Sequence, residues 1–596
     1  MTELRKCKLY YEDSPNYLVQ YRGNFKEEID KVSYACGDII NNTIGVVSTS
    51  EQNLDRLLKD VPSIVFIDQR WMFVLQDISP SNVDNINAIK INPYLNLTGR
   101  GVLVGMVDTG IDYLNEEFIR EDDTSRVSNI WDQTIQGSAD QSLYIGETYS
   151  NEQINTAIKT YKNKGDPYQI VPSKDEIGHG TRIAGIIGAR GYSKDFQGVA
   201  PDCDFVIVKL LESFNFKNRL IGNGVQYIPI YNNSEVLAAI EYLKNFAVKV
   251  KKPMVIYIGV GATEGSHDGN NLISKYLTNV GSTRGIVSIS GVGNEGASEG
   301  HASGNIKNLG DMSTVDLRIP KQIKYFSFNI WVRKPNRANL KVVSPTGEAT
   351  DVIKSEANKS LQIKFVFLGT EMIVKYYDPE YFTGHQLINI TFMNIKPGIW
   401  TIQLIGKYLT NGRYDIWLPP EKTLPEGTKF LESDPFITLT IPSTARKVIT
   451  VAYYGNDKAL VASSGKGYNS NNLINPDIAT IGVNIITTKV SGGITTDSGS
   501  SVATGVVAGA CALLLQWGIV ERNDITMYSI KMRSYLIYGA DRSNVNYKYP
   551  TREIGYGNFD LLGTFNVISR SYRQNRIIGN NFIEYYINKL FIRIPK

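Results

Sequence analysis

The stretch that decides the fold runs from Asp497 to Gly509 and reads DSGSSVATGVVAG. After Gly499, two hydroxyl residues open a run of small and apolar residues that continues to Leu515. Because the apolar side chains fall on every face of a helix, the pattern predicts a buried helix. A serine in its first turn lies at the positive end of the helix dipole, beside backbone N–H groups without helical partners. This position suits a nucleophile whose reaction creates an oxyanion, and it equally suits a plain helix cap.

Two stretches upstream supply an acid and a base. Residues 101–112 read GVLVGMVDTGID, an apolar run that ends in Asp108 at a glycine turn. A buried parallel strand delivers a carboxylate to the carboxyl edge of an α/β sheet in this way. Residues 178–188 read GHGTRIAGIIG and set His179 at the start of a second helix of small residues. Each stretch alone is usually structural, but with Ser501 they favour a nucleophilic triad.

These motifs, in the order Asp, His, Ser, resemble the signature motifs of the subtilisin-like serine proteases, or subtilases. The resemblance implies an α/β fold with a parallel sheet flanked by helices. It implies that Asp108 orients and stabilises the imidazolium, that His179 is general base and then acid, and that Ser501 is the nucleophile. Residues 286–296 read IVSISGVGNEG and resemble the family's oxyanion turn. Asn294 would then donate to the oxyanion from its side chain, and Ser501 from its backbone N–H.

Three positions depart from the family's pattern. Arg182 stands where the family has a second histidine, Ser500 where it has threonine, and Gly505 where it has proline. By the resemblance, none of these residues transfers the proton or attacks the substrate, so an active enzyme is still expected. Arg182 is expected to alter the charge around the site, and Gly505 to loosen the start of the serine helix.

Composition excludes several classes of function. A chain of 596 residues is too long for one core, and its 42% hydrophobic and 20% charged content is that of a globular protein. The formal net charge of +4 offers no argument for nucleic acid as a partner. No membrane span is expected, because no long apolar run is evident. The N-terminus lacks the apolar core of a signal peptide, which predicts synthesis in the cytoplasm without a conventional signal.

Cysteine and histidine usage predicts no metal centre. The four cysteines lack metal-ligand spacing, which favours free thiols and a reducing compartment. They are Cys7, Cys36, Cys203 and Cys511. His267, His301 and His385 are expected at the surface, with His301 close enough in sequence to Asn294 to line the cleft. The resemblance makes structural calcium a common feature, but no loop has enough clustered carboxylates for a site, and no cofactor is expected to be required.

The N-terminal residues 16–76 alternate short strands with helical patterns, which predicts a small α+β module. The module resembles a subtilase propeptide, an intramolecular chaperone and inhibitor; the alternative is an unrelated N-terminal domain. We predict self-cleavage at Gln76–Asp77, with Gln76 in the S1 pocket, Phe73 in the S4 pocket and the propeptide's end retained in the cleft. The substrate-binding edge strand is expected, by the resemblance, at Gly259, Val260 and Gly261.

Two regions lie outside a minimal subtilase. Residues 120–174 are expected to form surface decoration near the cleft. Residues 310–435 contain short alternating strands between turns, which predicts an antiparallel β-sandwich, with a jelly roll as first choice. Aromatic alternation usually marks a core, so these side chains are expected to form the core of the sandwich; the alternative is a surface that binds carbohydrate or a partner. The predicted domains are propeptide 1–76, catalytic domain 77–309 and 436–570, sandwich 310–435, and a basic tail 571–596.

This architecture, with free thiols, resembles the Csp-type germination proteases of clostridial spores. That resemblance implies packaging in the spore and a protein substrate, the propeptide of a cortex-lytic hydrolase. Degenerate relatives in the group sense germinants, so the alternatives are a pseudoprotease that senses or binds a ligand, or a general-purpose subtilase. The four intact positions Asp108, His179, Asn294 and Ser501 favour an active endopeptidase.

Overall fold

The computed structural model describes residues 7–77, 97–137, 143–356, 359–577, 582–587 and 590–595. The N-terminal module contains strands and helices in the predicted alternation. Its elements are β1 (Asn16–Tyr21), α1 (Phe25–Ile29), β2 (Cys36–Ile39), β3 (Ile44–Ser48), α2 (Leu54–Asp60), β4 (Ile64–Ile67) and β5 (Phe73–Leu75). The first four strands form an antiparallel sheet in the order β2-β3-β1-β4. Successive side chains of β1 point to opposite faces of this sheet. One face packs on α1 and α2, and the other face is available for contact with the rest of the protein.

The first part of the catalytic domain follows. Its elements are β6 (Leu103–Asp108), β7 (Val127–Asp132), β8 (Glu147–Ser150), α3 (Asn151–Lys162), α4 (His179–Gly188), β9 (Asp204–Lys209), α5 (Phe214–Gly222), β10 (Ile230–Tyr231), α6 (Asn233–Val250), β11 (Met254–Ile258), β12 (Val260–Gly261), α7 (Leu272–Val280) and β13 (Ile286–Gly291). The second face of the N-terminal sheet docks here, where Leu18 and Ile44 pack against Leu237 and Leu272.

The inserted region folds as two all-β sheets around one shared core. Its strands are β14 (His301–Asn305), β15 (Met312–Ile319), β16 (Ile323–Val332), β17 (Arg337–Val343), β18 (Ser360–Phe365), β19 (Thr370–Tyr377), β20 (Gln386–Ile395), β21 (Gly398–Tyr408), β22 (Arg413–Trp417) and β23 (Lys429–Phe430). The sheet orders are β14-β22-β16-β20-β19-β18 and β17-β21-β15-β23. The predicted all-β insertion is thus present, and its jelly-roll topology stays a prediction.

The chain then returns to the catalytic domain. The elements are β24 (Ile449–Tyr454), β25 (Ile478–Ile481), β26 (Ile485–Thr488), β27 (Ile494–Asp497), α8 (Ser500–Leu515), α9 (Ser529–Gly539) and α10 (Leu561–Ile577), followed by a hairpin of β28 (Phe582–Ile587) and β29 (Leu590–Pro595). The central sheet has the order β25-β24-β13-β11-β6-β9-β7-β8. All its neighbours pair in parallel except β7 with β8. The carboxyl ends of its parallel strands therefore meet at one edge.

The region 120–174 is more than the surface decoration that we expected. Strand β7 pairs in parallel with β9 inside the central sheet, and Val127, Ile130 and Trp131 are buried. The expectation was wrong because the polar residues of this region lie in its loops and on α3, whereas the apolar residues of β7 face the core. Residues 138–142 of this region lie outside the described part of the chain.

Helix α8 is apolar and buried along its whole length. The helical stretch Ser500–Val520 is long and apolar enough to cross a membrane, which corrects our reading of the sequence, and 89% of its apolar window is buried in the fold. The helix continues without a break through Gly505. A Cβ there would lie 3.4 Å from Ile183 and Ile186, in ordinary van der Waals contact with α4.

The free-thiol prediction is wrong for two of the four cysteines. Cys7 and Cys36 form a disulfide, with their Cα atoms 6.2 Å apart. Their spacing along the chain gives no sign of the pairing, because it depends on the N-terminal segment lying over β2, where Tyr10 is buried. Cys203 and Cys511 are free, and burial raises the pKa of the Cys203 thiol to about 12. Cysteine usage therefore no longer argues for a reducing compartment.

The three remaining histidines are buried, not at the surface as we expected. The rings of His267 and His301 stack on Trp417, at centroid distances of 4.1 and 4.9 Å. His267 follows β12 of the catalytic domain, whereas His301 and Trp417 belong to the sandwich. His385 lies 3.4 Å from the carboxylate of Asp268. These histidines join the two domains, a role that their polar flanking sequence hides.

Candidate active site

Two of the predicted site residues meet at the carboxyl edge of the central sheet. Strand β6 ends in Asp108, and α4 begins at His179 behind Gly178, whose φ of +79° is readily adopted only by glycine. The Asp108 Oδ1 atom lies 2.7 Å from His179 Nδ1, and both side chains are fully buried. A carboxylate on Nδ1 orients the ring and leaves Nε2 to act as a base.

Asp175 holds this arrangement in place, and sequence reasoning missed it. Its carboxylate accepts hydrogen bonds from the backbone N–H of Gly178 and Thr181 and from the Thr109 hydroxyl, at 2.7, 2.8 and 2.8 Å. These bonds tie the start of α4 to the turn that follows Asp108. The only available signal was an acid three residues before the glycine-histidine-glycine motif.

Ser501 lies in the first turn of α8 and is fully buried. Within the described residues, neither its Oγ atom nor Nε2 of His179 has a hydrogen-bond partner. Catalytic hydrogen bonds commonly tighten only in the reacting complex. His179 and Ser501 are both fully buried, and the backbone N–H of Ser501 contacts the residue at the end of a bound strand.

That strand is β5, at the end of the N-terminal module. It lies between β10 and β12 in an antiparallel three-stranded sheet, with Leu75 opposite Val260 and Val74 opposite Gly261. The backbone N–H of Gln76 extends this pairing to the carbonyl of Gly259 at 3.3 Å. The edge strand predicted at Gly259, Val260 and Gly261 thus pairs with the chain's own segment. Segment 78–96, which follows Asp77, lies outside the described residues.

The carbonyl of Gln76 points at the start of α8. The backbone N–H of Ser501 donates to this oxygen at 3.0 Å. Asn294 does not bind the same oxygen: its Nδ2 donates to the carbonyl of Asp77 at 2.9 Å, and its Oδ1 accepts from the N–H of Ser500 at 3.2 Å. One of the two expected donors is therefore on the Gln76 carbonyl, and the other is one peptide further along.

Residues 99–356 and 433–557, more than half of the chain, match the Subtilase family. The chain belongs to the subtilase family of serine proteases. Helix α4 and the start of α8, which carry His179 and Ser501, lie inside the matched residues, and so does Asp108. The unmatched residues between the two segments belong to the sandwich.

Individual relatives agree with this assignment. The chain is similar to the solved structure of the Clostridium perfringens CspB protease, with a TM-score of 0.70 and 31% identity over 80% of this chain and 94% of that one. It is 29% identical to Arabidopsis thaliana subtilisin-like protease SBT6.1 over 25% of its length, and 23% identical to the Bacillus subtilis minor extracellular protease Epr over 28%. The matches span only 14% and 22% of those two proteins.

The side chain of Gln76 fills a closed pocket of this subtilase. It is 3% exposed, and its Nε2 donates to Thr440 Oγ1 at 3.0 Å. Gly291 forms one wall, because a Cβ there would lie 2.7 Å from Gln76 Oε1. Phe73 is fully buried in an apolar cluster with Trp71 and other side chains. The pocket therefore gives the Nε2 atom of Gln76 an acceptor between close backbone walls, whereas its Oε1 atom has no partner among the described residues.

We predict that Thr440→Val slows cleavage after Gln76 by about 10- to 100-fold. The substitution keeps the shape but leaves the buried Gln76 amide without an acceptor, a loss of about 1–3 kcal/mol. The measurement is the rate of chain cleavage during cell-free synthesis. In a Gln76→Leu background the same substitution should have no effect, and an equal loss there would contradict the assigned contact.

Three carboxylates control the charge of His179. Burial disfavours the imidazolium, but the carboxylates of Asp108, Asp77 and Asp497 outweigh burial and raise the pKa of His179 to about 9. Asp497 also forms a 2.7 Å ion pair with Arg182, the residue that replaces the family's second histidine. With Asp77 in place, His179 is therefore mainly protonated at neutral pH.

We predict that cleavage at Gln76–Asp77 accelerates about tenfold per pH unit from pH 6 and levels off near pH 9. A general base must be neutral, and the raised pKa of His179 means that its neutral fraction grows until the pH reaches that value. The Asp77→Asn variant should level off at lower pH because it removes one of the three carboxylates. The rate of cleavage after transfer from acidic buffer measures both curves, and a flat profile would contradict the prediction.

No metal site is evident in the part of the chain that the structure describes. Within those ranges, no group of three or more His, Cys, Asp or Glu side chains is arranged to hold an ion. Structural calcium, which the family resemblance implied, stays a prediction, because calcium is also held by backbone and amide oxygens.

Proposed function

We propose that this subtilase is a serine endopeptidase that cuts its own chain between Gln76 and Asp77. The observation that carries the proposal is the 3.0 Å hydrogen bond from the Ser501 N–H to the Gln76 carbonyl, with β5 held between two strands. A peptide bond held in this way has its carbonyl polarised at the end of a helix and beside a buried hydroxyl.

In the proposed reaction, Ser501 Oγ attacks the carbonyl carbon of Gln76 while His179 Nε2 takes the hydroxyl proton. Asp108 keeps the imidazolium oriented through Nδ1. The Ser501 N–H holds the oxyanion, and Asn294 becomes the second donor when its amide moves from the neighbouring carbonyl. The C–N bond then breaks, His179 returns the proton to the amine of Asp77, and water hydrolyses the acyl-enzyme.

We further propose that the propeptide stays bound after the cut. The sandwich adds contacts to those of the catalytic domain: Asn329 donates to the Gln69 side chain at 3.2 Å. The ring of Phe66 stacks on Tyr381 at 4.8 Å and meets Phe382 edge-on at 4.9 Å. None of these contacts depends on the peptide bond that is cut, so cleavage does not remove them.

The experiment is to treat the purified chain with a fluorophosphonate and to map both the label and any break by mass spectrometry. An active enzyme is broken between Gln76 and Asp77, and its label lies on Ser501 once the propeptide has been displaced. A folded chain that is neither broken nor labelled would contradict the proposal and favour a pseudoprotease that senses or binds a ligand.

For the substrate in trans, we propose the proenzyme of a spore cortex-lytic hydrolase, cut during germination by a protease carried in the spore and needing no cofactor. The likeness to the CspB protease over 80% of the chain supports this assignment, together with the shared resemblance to the Csp-type group. Incubation with such a proenzyme and with casein tests it. A dedicated enzyme cuts the proenzyme once and barely digests casein, whereas a general-purpose subtilase degrades both.

A further inference from the structure

We propose that Lys422 of the sandwich builds an acid-selecting S1′ subsite, so that this enzyme cuts polypeptides immediately before an acidic residue. The proposal rests on the proposed cleavage at Gln76–Asp77. In this proposal the inserted domain contributes directly to the choice of substrate, through the residue after the cut. The triad and the S1 pocket do not select that residue.

The contact that carries the proposal joins Lys422 to both polar groups of Asp77. The Lys422 Nζ atom lies 2.8 Å from Asp77 Oδ1 and donates to the Asp77 carbonyl at 2.7 Å. With Asn294 on the same carbonyl at 2.9 Å, the residue after the scissile bond is held by two side chains. An ammonium group that binds backbone and carboxylate together places an acidic side chain in one orientation.

The backbone that carries Lys422 is anchored to the catalytic turn. The N–H of Glu421 donates to the carboxylate of Glu295 at 3.1 Å, and Glu295 directly follows Asn294. A few residues earlier, the carbonyl of Leu418 accepts a 2.6 Å hydrogen bond from the buried Thr263 hydroxyl. The position of Lys422 is therefore determined by the same turn that carries Asn294, although Lys422 belongs to another domain.

The charges around the subsite favour a carboxylate. Burial disfavours the charged form of Asp77, but His179, Lys422 and Arg182 outweigh burial and hold the pKa of Asp77 below its usual value. Arg182 is itself paired with Asp497, which leaves Lys422 as the cation in direct contact. The positive charge of this subsite thus repels a basic residue at P1′, the position after the cut that Asp77 occupies, and attracts an acidic one.

The test is a double-mutant cycle on the full chain, with cleavage during cell-free synthesis as readout. The variants are Asp77→Asn, Lys422→Gln and their combination, because the cycle cancels the separate effect of Asp77 on His179. We expect Asp77→Asn to lower the rate about tenfold more with Lys422 present than with Lys422→Gln, which is about 1.4 kcal/mol of coupling. Asp77→Lys should slow cleavage further, and Lys422→Glu should partly restore it.

The matched control is Lys429→Gln, because this sandwich lysine pairs with Glu299 instead of Asp77. It should leave the ratio of the Asp77 and Asp77→Asn rates unchanged. Equal ratios with and without Lys422, while the wild-type chain is cut normally, would overturn the subsite alone. A wild-type chain that is never cut would overturn the proposed function and the subsite with it.

Discussion

Replacing Ser501 by alanine is expected to leave the chain uncut at its full 66.5 kDa, whereas the wild-type chain separates between Gln76 and Asp77. The substitution removes the hydroxyl that we propose attacks the Gln76 carbonyl but keeps the N–H that binds this carbonyl. Loss of the serine nucleophile in a related triad costs about 10⁶ in turnover, so no cleavage should accumulate within days. Intact-mass measurement of both purified proteins decides the result.

The control for this experiment is Ser491→Ala, which changes an exposed serine upstream of α8 and should leave cleavage unchanged. Because the Ser501 side chain has no hydrogen-bond partner within the described residues, its removal should not lower the free energy of unfolding through a lost bond. A Ser501→Ala chain cut at the same bond would show that another nucleophile or another protease makes the cut.

Replacing Asp108 by asparagine is expected to slow cleavage by about 10⁴, the loss seen for the equivalent change in another serine protease. The amide keeps the size of the side chain but cannot accept the Nδ1–H of His179 as a carboxylate does. The ring then adopts the wrong tautomer, and the imidazolium loses its counter-charge. A time course of chain cleavage over hours to days measures the residual rate.

Asp112→Asn is the matched control for Asp108→Asn. Asp112 lies on the same turn, but it accepts from the N–H groups of Leu114 and Ser491 instead of His179. Its replacement should change the cleavage rate by less than about threefold, since the amide oxygen still accepts one of the two bonds and neither bond involves His179. Equal losses for the two variants would mean that the turn as a whole, not the contact with His179, governs the reaction.

Local sequence was enough to predict Asp108, His179 and Ser501 as the acid, the base and the nucleophile. Each lies where a buried strand ends or a buried helix begins. In the sequence, such an end is recognised as an apolar run next to a glycine. The same reasoning predicted β5 as a bound strand and the alternating strands of the insertion. It placed β7 at the surface, because it weighed the polar loops of residues 120–174 above one short apolar strand.

Features that depend on two distant parts of the chain were not readable from the sequence. The Cys7–Cys36 disulfide, the stack of His267 and His301 on Trp417, and the contact of Lys422 with Asp77 all join segments whose local patterns say nothing of each other. Asn294 shows the same limit, since its motif places it near the oxyanion but not on a particular carbonyl.

The sequence by itself determined the family and the α/β core, and it predicted the three residues of the triad, because each motif that carries one of them is a stretch of about a dozen consecutive residues. The tertiary structure alone decided which carbonyl Asn294 binds and which cation faces Asp77. Both depend on how separately folded domains pack, and packing is set by the shape and charge of whole surfaces.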